Sequence, residues 1–365
     1  MSALARAAVR RLRTGVVPEW ELERLSVGYG HLKRLVRSAL KSLAREGTSG
    51  PVFVRGEWGS GKSHFLSYVR AMAKAHGIPS SRVNLNARSA ALNYPQRFFG
   101  PAMGEVRFEG RMGLRPVILS LLENPANRTA MTAFARSAAA GDLAGPLAKL
   151  CARYEWGDTL DIGADSAWSL FLGGDLSWAD YSYKRHQAVA RIQSVGRLLS
   201  AAGMSGLVLL FDEAETIHQL WNIRSRIVAY DVIAELSRMK TIWCVFGITD
   251  RFDHTIAADL QAGILNAYGI TPAAASFLKA WQRQEYESVE PPAIETGSAC
   301  TLAGLVATLY DEAYDLGGGN GRTVDKCLAE WVTNPSRNPR RLIRLLIHRL
   351  DLNRSLNPSE GSHFA

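Results

Sequence analysis

Residues 51–66, PVFVRGEWGSGKSHFL, decide how this chain folds. Gly56, Gly61, Lys62 and Ser63 match G-x-x-x-x-G-K-[ST] at every fixed position. A short β-rich run, Pro51 to Arg55, leads in, and an amphipathic helical pattern (Phe65, Leu66, Val69, Met72) leads out and stops near Gly77. Such a loop converges backbone N–H groups on phosphates at a helix N-terminus, where the macrodipole favours negative charge. Gly56, Glu57, Trp58, Gly59, Ser60, Gly61, Lys62, Ser63 and His64 are the candidate phosphate-binding residues. Lys62 would reach the β and γ phosphates of a nucleoside triphosphate, and the Ser63 hydroxyl would ligate magnesium. A chance glycine-rich turn is the alternative, but it would not need both a strand and a helix.

A phosphate loop of this kind needs a carboxylate on a neighbouring strand. The apolar run Gly206 to Phe211 ends in Asp212-Glu213-Ala214-Glu215. Asp212 is the candidate for magnesium, and Glu213 is placed to accept a proton from an attacking water, which points to hydrolysis rather than binding alone. Glu215 faces either the site or solvent. The next apolar run, Thr241 to Gly247, ends in Ile248-Thr249-Asp250, and Thr249, with Asp250 second, is the candidate for sensing the γ phosphate. The alternative for both ends is an ordinary polar strand terminus.

Strands expected at 51–55, 82–86, 206–211, 241–247 and 285–290 give an α/β fold with a five-stranded parallel sheet, since buried parallel strands read as continuous apolar runs. The stretch at about 88–205 is too long for one crossover and reads as a helical insertion. After Pro291 and Pro292 the pattern is helical to Leu352, a small lid, followed by a polar tail over 353–365. The expected domains are thus 1–290, nucleotide-binding, and 291–352, lid. LGGGNG at 316–321 has no strand before it and no GK[ST] after it, so it reads as a helix–helix turn.

In Asn338-Pro339-Arg340-Arg341-Leu342-Ile343, Asn338 suits an N-cap and Pro339 the first helical position, which puts both arginines in the first turn. The macrodipole disfavours cations there. Either an anion compensates, a nucleotide triphosphate for Arg340, or the cluster with Arg337 and Arg344 is a solvated basic helix end.

The 365 residues are 47% hydrophobic and 21% charged, the balance of a folded chain rather than a disordered one. No apolar run approaches the roughly 20 residues that span a bilayer. The four cysteines and eight histidines are scattered, which argues for a reducing, cytoplasmic setting without a disulfide framework or zinc site. Arg6, Arg10, Arg11 and Arg13 without an acid resemble a transit peptide, but the segment is Ser-poor and runs into a helical pattern, so it reads as part of the folded protein. The net charge of +9 permits nucleic acid as partner. Lys33, Arg37, Lys41 and Arg45 recur every four residues opposite Leu32, Leu35, Val36, Leu40 and Leu43, a basic stripe that either contacts a phosphate backbone or is a solvated face.

The order phosphate loop, DE-ending strand, polar strand tip and N-P-R on a helical lid resembles an AAA+ P-loop NTPase, specifically the ORC/Cdc6-like clade. Ser26-Val27-Gly28-Tyr29-Gly30-His31-Leu32 is similar to the segment that closes over adenine in that clade, with Tyr29 where an Arg is usual; Val27 and Gly28 are carried over as adenine-binding. The resemblance implies ATP and Mg2+ as cofactors, a homo-oligomer with ATP at subunit interfaces, and a trans-acting arginine before the lid. Arg283 is the candidate, with Arg226 and Arg251 as alternatives. Longer strings, RLRTGVVPEWELERLSVG, VRGEWGSGKSHFL, SWADY, GLVLLFDEAETIHQL and RIVAYDVIAEL, resemble the ATP-binding proteins of BREX-type bacterial phage-exclusion systems. That resemblance implies a regulatory or DNA-handling ATPase working with other defence proteins, including DNA-directed enzymes. The tail leaves no room for the winged helix of the initiators, so any DNA contact would come from elsewhere. The rival functions are a nucleotide switch or scaffold that recruits an effector with little turnover.

Overall fold

The computed structural model describes residues 3–88, 90–155, 167–174, 176, 181–334 and 337–356. The loop expected at 157–166, residues 177–180 of SWADY and residues 357–365 of the expected tail lie outside the described residues. The chain divides into two compact units, one comprising Arg34–Arg55 and Met72–Val289, the other Met1–Lys33, Gly56–Ala71 and Glu290–Ala365.

The larger unit is built on a seven-stranded sheet, β1 (Val52–Arg55), β2 (Ser80–Asn84), β3 (Arg107–Phe108), β4 (Arg111–Met112), β5 (Leu207–Asp212), β6 (Ile242–Ile248) and β7 (Glu287–Val289), in the order β4-β3-β2-β5-β6-β1-β7. The expected five-stranded parallel sheet is therefore corrected to a mixed one. The β2-β5-β6-β1-β7 neighbours pair in parallel, and a β3–β4 hairpin adds to β2 antiparallel. The hairpin lies inside the segment read as helical. Its strands are two residues each, too short to show a period, and its turn, Glu109-Gly110, takes positive φ at both positions (47° and 80°), as a tight hairpin turn requires. The rest of the insertion is mostly helical, from Pro95–Gly104 to Tyr181–Ala201, and is anchored by the fully buried Arg191, which is held by Asp142 and the Leu170 carbonyl (2.8 Å).

All residues of β5 and β6 are buried, as strands covered on both faces must be. Three phenylalanines form a ladder across the central strands: Phe211 pairs with Phe246 and Phe246 with Phe53. Their rings stack at centroid distances of 5.0 and 5.1 Å. Cross-strand aromatic pairs pin register, and this ladder lies one or two positions before the carboxyl ends of β5, β6 and β1.

The smaller unit is helical. Helix Ala3–Leu12 buries Ala5, Ala8, Val9 and Leu12 in one apolar core with residues of helices Thr296–Tyr314, Gly321–Val332 and Pro339–Leu356. Long-range polar ties reinforce it: Arg13 is bidentate to Asp351 (2.9 and 2.8 Å), and Arg24 bonds Glu312 (2.9 Å).

Candidate functional site

Two sets of candidate residues occur, one in each unit. In the smaller unit the Gly56–Gly61 loop feeds helix Lys62–Ala75, whose first turn closes with Phe65 N–H to the Gly61 carbonyl (2.8 Å). The Lys62 ammonium donates to the Gly56 carbonyl (2.5 Å) and is 3.4 Å from that of Glu57, so it lies over the loop. Ser60 Oγ is buried without a hydrogen-bond partner among the described residues, an acceptor or donor left for a ligand. Trp58 is 76% exposed. Gly59 has φ +83°, and a Cβ there would stand 2.0 Å from Asn338 Nδ2. A larger residue fits neither the backbone nor the space. Asn338 caps helix Pro339–Leu356 as expected, its Oδ1 accepting from Arg340 N–H (2.8 Å).

The adenine-side candidates belong to a segment whose Tyr29 packs on the helix that follows the loop. Gly28 (φ +84°) lies near Pro292, and the buried Tyr29 meets His64, Phe65 and Tyr68 at ring-centroid distances of 5.4, 6.2 and 5.7 Å. Val27 packs, partly buried, on the helical core. His64 Nε2 is 2.9 Å from Ser26 Oγ, whose own hydrogen goes to the Leu22 carbonyl. Nε2 therefore carries the hydrogen and donates it. Burial pushes the His64 pKa down to about 4, so the ring is neutral. His64 is thus tied to the Ser26–Tyr29 segment.

In the larger unit the parallel register brings the carboxyl ends of β5, β6 and β1 side by side, with Arg55, the residue before Gly56, paired to Ile248, the residue before Thr249. That edge is where open α/β sheets bind ligands. Asp212 is 3% exposed and closes β5; its Oδ1 accepts the Glu213 N–H (3.1 Å) and its Oδ2 pairs with Arg82 of β2. Glu213 is half-buried in the left-handed region (φ 60°, ψ 39°), a conformation that costs a non-glycine residue roughly 1 kcal/mol and concentrates at functional sites. Glu215 is buried, which answers the question of its direction against solvent. Thr249 is 3% exposed, and its Oγ1 has no hydrogen-bond partner among the described residues. Asp250 is exposed.

Hydroxyl and carboxylate oxygens, Ser63 and Asp212, are the hard donors that magnesium selects, and a carboxylate has about four lone-pair sites. Each donor is of the hard type that fits the ion, and the Asp212 carboxylate also meets Arg82 and the Glu213 amide. Thr249 and Ser60, with buried unanswered hydroxyls, suit phosphate oxygens.

The arginines separate clearly. Arg226 is clamped by Asp259 (2.8 and 2.6 Å) and the Leu220 carbonyl (2.6 Å), which makes it a structural tie. Arg251 is exposed, 3.5 Å from His218 Nε2. Arg283 ends helix Pro272–Gln282 with its side chain 72% exposed and Glu285 3.5 Å away. Arg340 is exposed at the start of its helix. Sequence reasoning missed Arg82; its only linear signal is an arginine in a strand of otherwise small or apolar residues.

Residues 2–96 match a family model described as BREX system ATP-binding protein BrxC/D. The resemblance to BREX ATP-binding proteins is borne out over that segment, which includes the whole phosphate loop. A solved structure titled as a DNA replication initiation factor is similar at 13% identity with a TM-score of 0.41, over 93% of this chain and 65% of its own length. No curated protein matches the chain. No described helix is long and apolar enough to cross a membrane.

Proposed function

We propose that the chain is an AAA+ ATPase of a bacterial phage-exclusion system that binds ATP with Mg2+, hydrolyses it at a site completed by a neighbouring subunit, and acts in the cytoplasm on DNA or on DNA-directed partners. The observation that carries this reading is the strand order β5-β6-β1, with buried Asp212, left-handed Glu213 and the unanswered Thr249 hydroxyl at the edge from which the Gly56–Ser63 loop departs. The match to the BrxC/D ATP-binding family over residues 2–96 supports the nucleotide and the setting.

The loop amides and Lys62 would hold the β and γ phosphates, and Ser63 and Asp212 would hold the magnesium, which when bound neutralises charge developing on the phosphoryl oxygens. Glu213 takes the proton of the attacking water, Thr249 bonds the γ phosphate, and Val27 and Gly28 border the adenine. Arg340 within the subunit and Arg283 from its neighbour complete the charge, and both lose an anion on hydrolysis. The basic face of helix Gly30–Glu46, with Arg37, Lys41 and Arg45 exposed and Lys33 half-buried, is the candidate DNA contact.

The Arg82–Asp212 ion pair favours a second reading, a slow switch, because the carboxylate meant for the metal's waters already has a cation beside it. Steady-state phosphate release with and without DNA separates the two. Lys62→Ala is expected to abolish ATP binding, and Glu213→Gln to bind ATP while turnover falls by about a hundredfold or more. Wild-type turnover in Glu213→Gln would remove Glu213 from the mechanism. Negligible wild-type turnover that rises in Arg82→Ala would establish the switch.

A further inference from the structure

We propose that the cleft along helix Pro339–Leu356 binds a nucleic-acid phosphate backbone through Arg341 and Arg344. The cleft measures about 640 Å³ and is lined by Arg13, Arg340, Arg341, Arg344, His348 and Asp351, among others. Its acids are already engaged. Asp351 is bidentate to Arg13 and accepts from Tyr310 (2.9 Å), and Glu330 pairs with Arg349.

Several arginines of the smaller unit have protein partners. Arg13, Arg24 and Arg349 each meet a carboxylate, and Arg6 donates to the Ala313 carbonyl (2.9 Å). Arg340, Arg341 and Arg344 have no such partner among the described residues. Arg340 and Arg341 stand in the first turn of one helix, where the macrodipole repels cations, and Arg344 follows in the second turn, where like charges three or four residues apart cost about 0.2–0.5 kcal/mol each. The chain is shaped to admit them. Gly15 (φ +75°) carries no Cβ, and one there would fall 2.3 Å from Arg340 Cγ and 3.4 Å from Arg344 Cδ, so the turn forms a notch for two arginine stems.

A nucleoside triphosphate assigned to Arg340 occupies the start of this helix. Arg344 lies about 6 Å further along the axis and His348 about 12 Å, so a second, extended anion is required. Guanidinium forks fit phosphate oxygens. Among the described residues the cleft is lined by no Phe, Tyr or Trp, and its aliphatic lining is confined to Leu345 and Ile347, which favours a sequence-independent backbone contact over a peptide that needs side-chain pockets.

The inference rests on the DNA-handling part of the function proposed above and not on its nucleotide part. The test is fluorescence anisotropy of the full chain with labelled single-stranded and duplex DNA over a salt series, beside a fluorescent ATP analogue. Arg341→Ala/Arg344→Ala is expected to weaken DNA binding about tenfold or more, equally across sequences, and to lower the slope of log affinity against log salt by about two, with ATP-analogue affinity unchanged. The single variants Arg341→Gln and Arg344→Gln, each expected to lower the slope by about one, guard against a folding failure of the double variant. Unchanged DNA affinity in these variants, with loss on reversing Lys33, Arg37 and Lys41 to Glu, would overturn the cleft while leaving DNA handling intact. A wild-type chain that binds no DNA would overturn DNA handling itself. Loss of the ATP analogue together with DNA would assign both arginines to the triphosphate, and equal binding of polyglutamate, lost in the same variants, would assign the cleft to an acidic protein; either result overturns the proposal.

Discussion

The sheet unit and the helical unit are held together by different forces. The sheet unit has a continuous apolar core with a phenylalanine ladder at its centre, and its half-buried acids Glu235 and Asp253 have pKa values raised, chiefly by desolvation. The helical unit has a smaller apolar core tied by arginine–carboxylate pairs that span most of the sequence, and its Asp351 has a pKa lowered, chiefly by the hydrogen bond from Arg13. Packing defects should therefore damage the sheet unit most, whereas acid and salt should act first on the unit that carries the phosphate loop and Arg340.

Phe53→Ala is expected to have the largest effect. Phe53 is fully buried, stacked on Phe246 and edge-on to Trp281 (4.7 Å) and Tyr286 (5.5 Å). Truncation of such a ring leaves a cavity and costs about 3–5 kcal/mol, read as a fall in the denaturation midpoint. A loss below about 1 kcal/mol would mean that the ladder does not hold the sheet's register.

The sequence made the ligand-bearing edge of the sheet legible because fully covered parallel strands are continuous apolar runs, and β5 and β6 have no other reading. The loop at 56–63 was equally plain, since its glycines and Lys62 have fixed spacing. β2 was placed two residues late. Ser80 and Ser81 look like turn formers, yet Ser81 is buried with its hydroxyl on the Ala102 carbonyl (2.6 Å), a satisfaction visible only after folding. The β3–β4 hairpin was hidden by its brevity. Arg82 was hidden because its partner Asp212 is 130 positions away, and no local pattern couples them until β2 lies beside β5. Distance likewise concealed why Arg226 makes a poor trans-acting finger: its side chain is consumed by Asp259.

Acid should distinguish the two units next. The buried His64 has its pKa lowered from 6.5 to about 4 by loss of solvation. Between those values the unfolded chain takes up a proton that the folded chain refuses, so the contribution is complete above pH 6.5 and is lost as pH falls toward 4. The maximum is about 3 kcal/mol. Hydrogen exchange followed by peptide should show Met1–Lys33 and Gly56–Ala71 loosening between pH 7 and 5 before peptides from β5 and β6, and His64→Gln should flatten that dependence. Simultaneous loosening of both units would erase the contrast.

The smallest expected effect concerns the arginine tie. Asp351→Asn removes the charge that Arg13 grips and weakens the acceptor for Tyr310, but both partners are about a third exposed, with side chains 36% and 29% accessible. Solvent screens such a pair, which leaves about 1 kcal/mol at low salt and less as salt rises. The lowered pKa of Asp351 gives the same sign as His64: its stabilisation is present above the ordinary carboxylate value and disappears as pH falls through the depressed one. Wild type and Asp351→Asn should therefore differ in midpoint at neutral pH and low salt and converge in strong acid or high salt. A salt-independent difference of the same size would mean that Asp351 acts by packing on helix Thr296–Tyr314 rather than by charge, and the helical unit would then be held together by the same force as the sheet.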